Sequence, residues 1–225
     1  MREQPVDLHL GIDLGTTTVV VSWKWSTSRE KHILKFKSPY TEKANEELDA
    51  TLARSRTRWF YGLDTRFLFD VVVFENIKLG IIGQDPYLSL LKGSFLEARE
   101  DYGTTENPVT LFEQLFLHIL DTLEEQFLDP AESQHYQVGR AFDDIRKQCW
   151  VTYPVRHNES LKITLVEAAL AAGFDGVDGV SESLAAAHFA VLDTSSNLLA
   201  HHAVLIVDCG GGSTVWPICF YSRKN

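Results

Sequence analysis

The most constraining feature of the chain is a stretch near its N-terminus, Leu8 to Trp23, in which two apolar runs flank a polar centre. Apolar residues alternate before the centre and three valines follow it, which predicts a strand, a tight turn and a returning strand. The turn is Gly15, Thr16, Thr17 and Thr18. We expect Gly15 to adopt a positive φ and to let a ligand approach closely. Successive N–H groups and threonine hydroxyls in such a turn suit an anion, although an ordinary hairpin with a Gly-Thr turn has the same pattern.

An acidic side chain, Asp13, lies immediately before this turn. A carboxylate at that place would repel a bare phosphate. It suits a site in which Mg²⁺ lies between the carboxylate and a phosphate, usually through water. Asp13 is therefore a candidate metal ligand.

A second stretch, Ala203 to Val215, repeats the pattern of the first: an apolar strand ends in Asp208, and a glycine-rich turn follows. Consecutive glycines are costly in backbone entropy unless close approach is needed. The two stretches predict two loops that hold one polyphosphate, with Asp13 and Asp208 facing each other across one polar cleft. The residues of the second loop are Gly210, Gly211, Gly212 and Ser213.

The rest of the chain predicts an α/β fold with a mixed sheet and flanking helices. Strands are expected over 8–13, 17–23 and 31–37 as antiparallel neighbours, with 148–153 in the same sheet. Helices are expected over 158–172 and 183–192, packed on the sheet, and over 108–127, where apolar residues recur at three- and four-residue steps. A short helix is also expected over 46–54. His118 is interpreted as a residue at the rim of the core rather than a ligand.

Four segments, in order, resemble the actin-like ATPase superfamily, and within it the Hsp70-type chaperones and their divergent relatives. Together they span most of the chain. They are Gly11-Ile-Asp-Leu-Gly-Thr-Thr17, Val151-Thr-Tyr-Pro154 with the helix that ends at Phe174, Val180-Ser-Glu-Ser-Leu-Ala-Ala-Ala187, and Val207-Asp-Cys-Gly-Gly-Gly-Ser213.

The resemblance implies a ribonuclease H-like lobe of an actin-like ATPase over 1–200 and the start of a second lobe over 201–225. It implies ATP and Mg²⁺ as cofactors, and client or co-chaperone proteins as further partners. The catalytic residues would be Lys78, Glu182 and Asp208, although Lys78 is also explicable as a surface lysine beside an apolar run. The metal ligands would be Asp13 and Asp208, and the phosphate contacts would be Gly15, Thr16, Thr17, Gly210, Gly211, Gly212 and Ser213.

The chain departs from the family pattern in three ways. Val215 stands where the family has a carboxylate that helps to hold the metal, and Ser183 replaces a proline. The sequence ends at Asn225, soon after the second loop, so the adenosine pocket of a second lobe is expected to be absent. The alternatives are a non-catalytic fragment or interaction module with the fold of the first lobe, and a sugar kinase of the same superfamily.

The composition limits the partners and the compartment. The 225-residue chain has a net charge of −10, which argues against nucleic acid or an anionic membrane as the main partner. Three cysteines without a C-x-x-C spacing predict a reducing compartment. No signal peptide and no apolar run of about 20 residues are recognised, so we expect a cytoplasmic or nuclear protein.

Overall fold

A computed structural model describes residues 7–37, 44–55, 58–62, 65, 68, 71–75, 77–78, 108–128, 141–154 and 158–193. The backbone of four short strands between residues 203 and 220 is also described. The described part is α/β, with a mixed sheet and three α-helices. No helix among the described residues is long and apolar enough to cross a membrane.

The central sheet contains the N-terminal hairpin, as the sequence predicts. Strands β1 (Asp7–Leu14) and β2 (Thr18–Trp25) are antiparallel, and Leu8, Leu10, Ile12 and Leu14 are all buried on one face. β10 (Arg146–Tyr153) is parallel to β1, and β11 (Gly176–Ser181) is parallel to β10. The hairpin and the strand over 148–153 therefore belong to one sheet, as expected.

The third predicted strand, over 31–37, is in fact two short strands with different partners. β3 (His32–Ile33) pairs with β2, whereas β4 (Phe36–Lys37) pairs with β5 (Ala44–Asn45). Leu34, between them, is fully buried, and its N–H donates to the carbonyl of Val21. The chain stays beside β2 until this bond and then turns away.

The short helix expected over 46–54 is wrong, because this segment forms two strands. β6 (Glu47–Asp49) pairs antiparallel with β2, and β7 (Leu52–Arg54) lies between β8 (Trp59–Tyr61) and β9 (Val72–Phe74) in a second small sheet. Leu48, Ala50 and Leu52 are buried. Burial at every second residue is the period of a strand, not of a helix.

The helices pack where the sequence predicts them. We name them α1 (Pro108–Leu128), α2 (Asn158–Ala172) and α3 (Glu182–Asp193). α1 packs on α2, and α2 and α3 both pack against β10 and β11. The apolar side of α1 is buried, as its three- and four-residue spacing indicates. Its buried residues include Leu111, Phe112, Leu115, Phe116, Ile119 and Leu123.

Gly173 ends α2 with a Schellman motif. Its φ is 108°, its N–H donates to Leu170, and the N–H of Phe174 donates to Ala169. The left-handed conformation at this position favours glycine because a Cβ is strained there. The chain then enters β11 directly.

The C-terminal stretch forms the antiparallel pairs that its strand-turn-strand pattern predicts. β12 (Ala203–Leu205) pairs with β15 (Ile218–Phe220), and β13 (Asp208–Cys209) pairs with β14 (Thr214–Val215). Asp208 and Val215 are register partners.

Candidate functional site

The candidate site lies at the carboxyl ends of three parallel strands. β1, β10 and β11 are in register, with Ile12 beside Val151 and Val151 beside Gly179. Their last residues, Leu14, Tyr153 and Ser181, are therefore at the same edge of the sheet. In α/β sheets this edge is where ligands are bound, because the strand ends and the loops that follow converge there.

The turn after β1 is narrow and depends on the absence of a side chain at Gly15. The Gly15 N–H donates to the carbonyl of Thr18 at 2.9 Å, and a Cβ on Gly15 would lie 2.6 Å from that oxygen. The expected positive φ is wrong: Gly15 is not among the glycines with positive φ. Glycine is needed here because two parts of the backbone approach each other closely.

The two threonines of the turn differ in exposure. Thr16 is buried and Thr17 is exposed. The carbonyl of Thr17 accepts the N–H of Ala50 at 2.8 Å, which joins the turn to the chain after β6. This backbone hydrogen bond holds the turn against the chain after β6, and Thr17 remains accessible to solvent.

Asp13 is exposed at this edge, and its carboxylate is fixed by a neighbouring strand. Thr152, near the end of β10, donates its hydroxyl proton to Asp13 Oδ1 at 2.7 Å. The same Thr152 oxygen accepts the N–H of Leu14 at 3.1 Å. One oxygen of Asp13 is therefore held in place while the exposed residue can still meet a ligand.

Lys78 and Glu182, 104 residues apart in the chain, form an ion pair beside the same turn. The Lys78 ammonium also donates to the carbonyl of Leu14. Lys78 is only 5% exposed, so the alternative of a surface lysine does not hold. The structure thus brings Asp13, Lys78 and Glu182 together around the backbone of Leu14.

Glu182 is placed by the start of α3. The Ser181 hydroxyl accepts the N–H of Leu184 at 3.2 Å, which makes Ser181 the N-cap and Glu182 the first helical residue. The positive end of the helix dipole favours a carboxylate at this position. Ser183, the residue in place of the family proline, is buried, and its hydroxyl is 3.4 Å from that of Ser181.

The second predicted loop is described only in part. Asp208 is the first residue of β13, a strand whose backbone alone is described. Gly210, Gly211, Gly212 and Ser213 lie outside the described residues. The convergence of Asp13 and Asp208 across one cleft therefore stays a prediction.

Thr152 is the functional candidate that the sequence did not reveal. Its segment, Val-Thr-Tyr-Pro, is recognised as a strand, but nothing in that segment shows that the threonine meets Asp13. The signal lies in the pairing: if β1 and β10 are parallel and end together, the residue after Val151 is next to Asp13. A register of this kind is a property of the assembled sheet.

A cleft of about 530 Å³ lies elsewhere, between α1 and the strands β4, β5, β6 and β8, and none of the site residues lines it. There the rings of His118 and Tyr61 are stacked, with centroids 4.1 Å apart and planes within 1° of parallel. Burial lowers the pKa of His118 to about 4. Burial and, to a lesser extent, the charge of Asp121 raise the pKa of Tyr61 to about 12. Both rings are therefore neutral at pH 7.

No protein-family model matches the chain, and no curated protein is significantly similar to it. Among the described residues, no three His, Cys, Asp or Glu side chains are grouped as a metal site. This does not conflict with Mg²⁺, which is held by one or two carboxylates, with phosphate oxygens and water as its other ligands.

Proposed function

We propose that this chain is an ATP-binding protein of the actin-like ATPase kind, similar to the Hsp70-type chaperones, and that ATP and Mg²⁺ bind at the edge of the central sheet. The observation that carries the proposal is the meeting of Asp13, Lys78 and Glu182 beside the Gly15 turn. The family resemblance assigns these residues, from three distant segments, to one site. A chance motif match would not require them to lie together.

The arrangement suits phosphoryl transfer, which depends on positioning and charge more than on covalent chemistry by the protein. Lys78 places a buried positive charge behind the turn, where it would stabilise charge that develops on phosphate oxygens. Glu182 would orient the attacking water. The Gly15 turn, with Thr16 and Thr17, would contact the phosphates.

Asp13, together with Asp208, would hold Mg²⁺. When bound, Mg²⁺ neutralises phosphate charge and fixes the orientation of the phosphate chain. The exposed Asp13 carboxylate, with one oxygen already held by Thr152, fits this role because a metal bound through water needs an oriented acceptor.

A second candidate function is nucleotide binding without turnover. The observation that favours it is Val215, an apolar residue that pairs with Asp208 where the family has a second carboxylate. We expect weak ATP binding and slow or absent hydrolysis on this account, because loosely held metal and phosphates react slowly.

The test is calorimetric titration of the purified chain with Mg-ATP, with phosphate release measured in parallel. We expect saturable binding that Asp13→Ala weakens at least tenfold, because that substitution removes the metal carboxylate. An absence of binding at millimolar Mg-ATP contradicts the proposal. Phosphate release that requires an added hexose would favour the sugar-kinase alternative.

A further inference from the structure

We propose that Thr152 is a positioning residue that orients the metal carboxylate of Asp13 and holds it against the backbone N–H of Leu14. This inference rests on the proposed function, since it concerns how that site holds Mg-ATP. It adds a residue that the family resemblance does not assign.

The direction of the Thr152 hydrogen bonds follows from counting protons. A threonine hydroxyl has one proton and accepts through its oxygen lone pairs. The Leu14 N–H can only donate, so it uses a lone pair of Thr152 Oγ1, at 3.1 Å. An ionised Asp13 can only accept, so the single hydroxyl proton goes to its Oδ1, at 2.7 Å. The Thr152 hydroxyl therefore accepts from Leu14 and donates to Asp13.

A second buried threonine, Thr122, has different hydrogen-bond partners from those of Thr152. Thr122 Oγ1 donates to the carbonyl of His118, four residues earlier in the same helix, which is a local bond that threonines often make. Thr152 instead reaches residues 138 and 139 positions away, and both threonines are 8% exposed. Equal burial with different partners makes Thr122 a matched control.

The backbone of Leu14 lies between the two halves of the site. Its N–H is bound by Thr152 and its carbonyl accepts from Lys78, which pairs with Glu182. Thr152 therefore acts on Asp13 and on the Leu14 N–H, whereas Lys78 is held separately by the Leu14 carbonyl and by Glu182.

The experiment compares the wild-type chain with Thr152→Val, Thr152→Ser and the control Thr122→Val. Two quantities are measured: the Mg²⁺ concentration that half-saturates ATP binding, and the affinity for ATP in EDTA. We expect Thr152→Val to raise the Mg²⁺ concentration for half-saturation about tenfold, because one hydrogen bond to a charged group is lost. The affinity in EDTA should not change, because Thr152 acts through the metal carboxylate.

The conservative variant and the control separate positioning from a purely structural role. Thr152→Ser keeps the hydroxyl and should restore the wild-type Mg²⁺ response, and Thr122→Val should leave it unchanged. In the ligand-free protein, Thr152→Val should also accelerate hydrogen exchange of the Leu14 amide. If Thr152→Val does not unfold cooperatively, Thr152→Ala replaces it, since the smaller side chain leaves room for a water at Leu14.

The outcomes distinguish the two proposals. Wild-type protein that binds no Mg-ATP overturns the proposed function, and this inference with it. Wild-type binding with an unchanged Mg²⁺ response in Thr152→Val overturns the inference alone. An equal loss of affinity with Mg²⁺ and in EDTA also overturns it, because that result assigns Thr152 a general structural role.

Discussion

Lys78 is the residue whose environment most limits what the site can do. Its ammonium has three protons, and within the described residues two of them bind Leu14 and Glu182. Under the proposed function, the third proton would bind a phosphate oxygen at the turn. The Lys78 and Glu182 side chains are only 6% and 13% exposed, so little water is present to compensate either charge.

Replacing Lys78 with methionine should strongly destabilise the protein. Lys78→Met leaves the Glu182 carboxylate buried without its partner, which costs about 3–5 kcal/mol when one member of a buried pair is removed. Urea unfolding at pH 7 measures the loss. The double variant Lys78→Met/Glu182→Gln should recover much of it, because no unpaired charge remains. A loss below about 1 kcal/mol in the single variant would contradict a buried pair.

Adding a methyl group to Gly15 tests the narrow turn. Gly15→Ala places a Cβ 2.6 Å from the Thr18 carbonyl, a backbone atom that moves only if the turn opens. We expect a loss of about 1–3 kcal/mol in stability and a parallel loss of ATP affinity. Gly176→Ala is the control, because its Cβ would meet only the flexible Gln148 side chain, at 3.3 Å. Thermal unfolding and calorimetry measure both effects, and equal behaviour of the two variants would refute the argument.

Among the elements, those whose apolar residues recur in the sequence with a clear period were predicted, and those that form because a pairing partner is available were not. The β1–β2 hairpin carries its own alternation of apolar residues, and Gly173 marks the end of α2. The segment of β6 and β7 contains Glu46, Glu47 and Asp49, which favours an exposed helix in isolation. It forms strands because partners are available: β6 pairs with the edge of β2, which buries Leu48, and β7 pairs with β8 and β9.

The packing of α1 on β8 should make stability depend on pH through His118. In the folded protein burial holds the pKa of His118 at about 4, against 6.5 in the unfolded chain. Between pH 6.5 and pH 4 the unfolded chain binds a proton at His118 and the folded protein does not. Stability that is present above pH 6.5 is therefore lost as the pH falls towards 4. The maximum loss is about 3 kcal/mol.

Urea unfolding from pH 7 to pH 4 measures this dependence, and His118→Phe is the matched variant. Phenylalanine keeps a flat ring on Tyr61 but cannot bind a proton. The part of the pH dependence due to His118 should be absent in the variant. Identical slopes for the two proteins between pH 6.5 and 4 would contradict the assignment.

At the scale of the whole molecule, the site is a consequence of topology. β1 and β10 are adjacent in the sheet although about 140 residues separate them, and their common register places Thr152 beside Asp13. Motif order predicted that Asp13, Lys78 and Glu182 belong to one site. It could not predict that the backbone of Leu14 lies between them, because the backbone groups that meet are set by the register of the assembled sheet.

Restoring the carboxylate that the second loop lacks tests whether that loop belongs to the same site. Val215 is the register partner of Asp208, and such partners share a face of an antiparallel pair. Two carboxylates opposite each other repel, so Val215→Asp should lower the melting temperature by about 2 °C without metal. Mg²⁺ with ATP should reverse this loss, and the Mg²⁺ concentration for half-saturation should fall about tenfold, because a cation is now shared by both acids.

Val215→Asn is the control for this prediction, since it introduces a polar side chain of similar size without a charge. Differential scanning calorimetry with and without Mg-ATP, and phosphate release at saturating ATP, measure the two effects. We expect only the aspartate variant to bind Mg²⁺ more tightly and to release phosphate faster than the wild-type chain. If the two variants behave alike, the hairpin of β13 and β14 does not contribute to the metal site, and the proposed pairing of Asp13 with Asp208 is wrong.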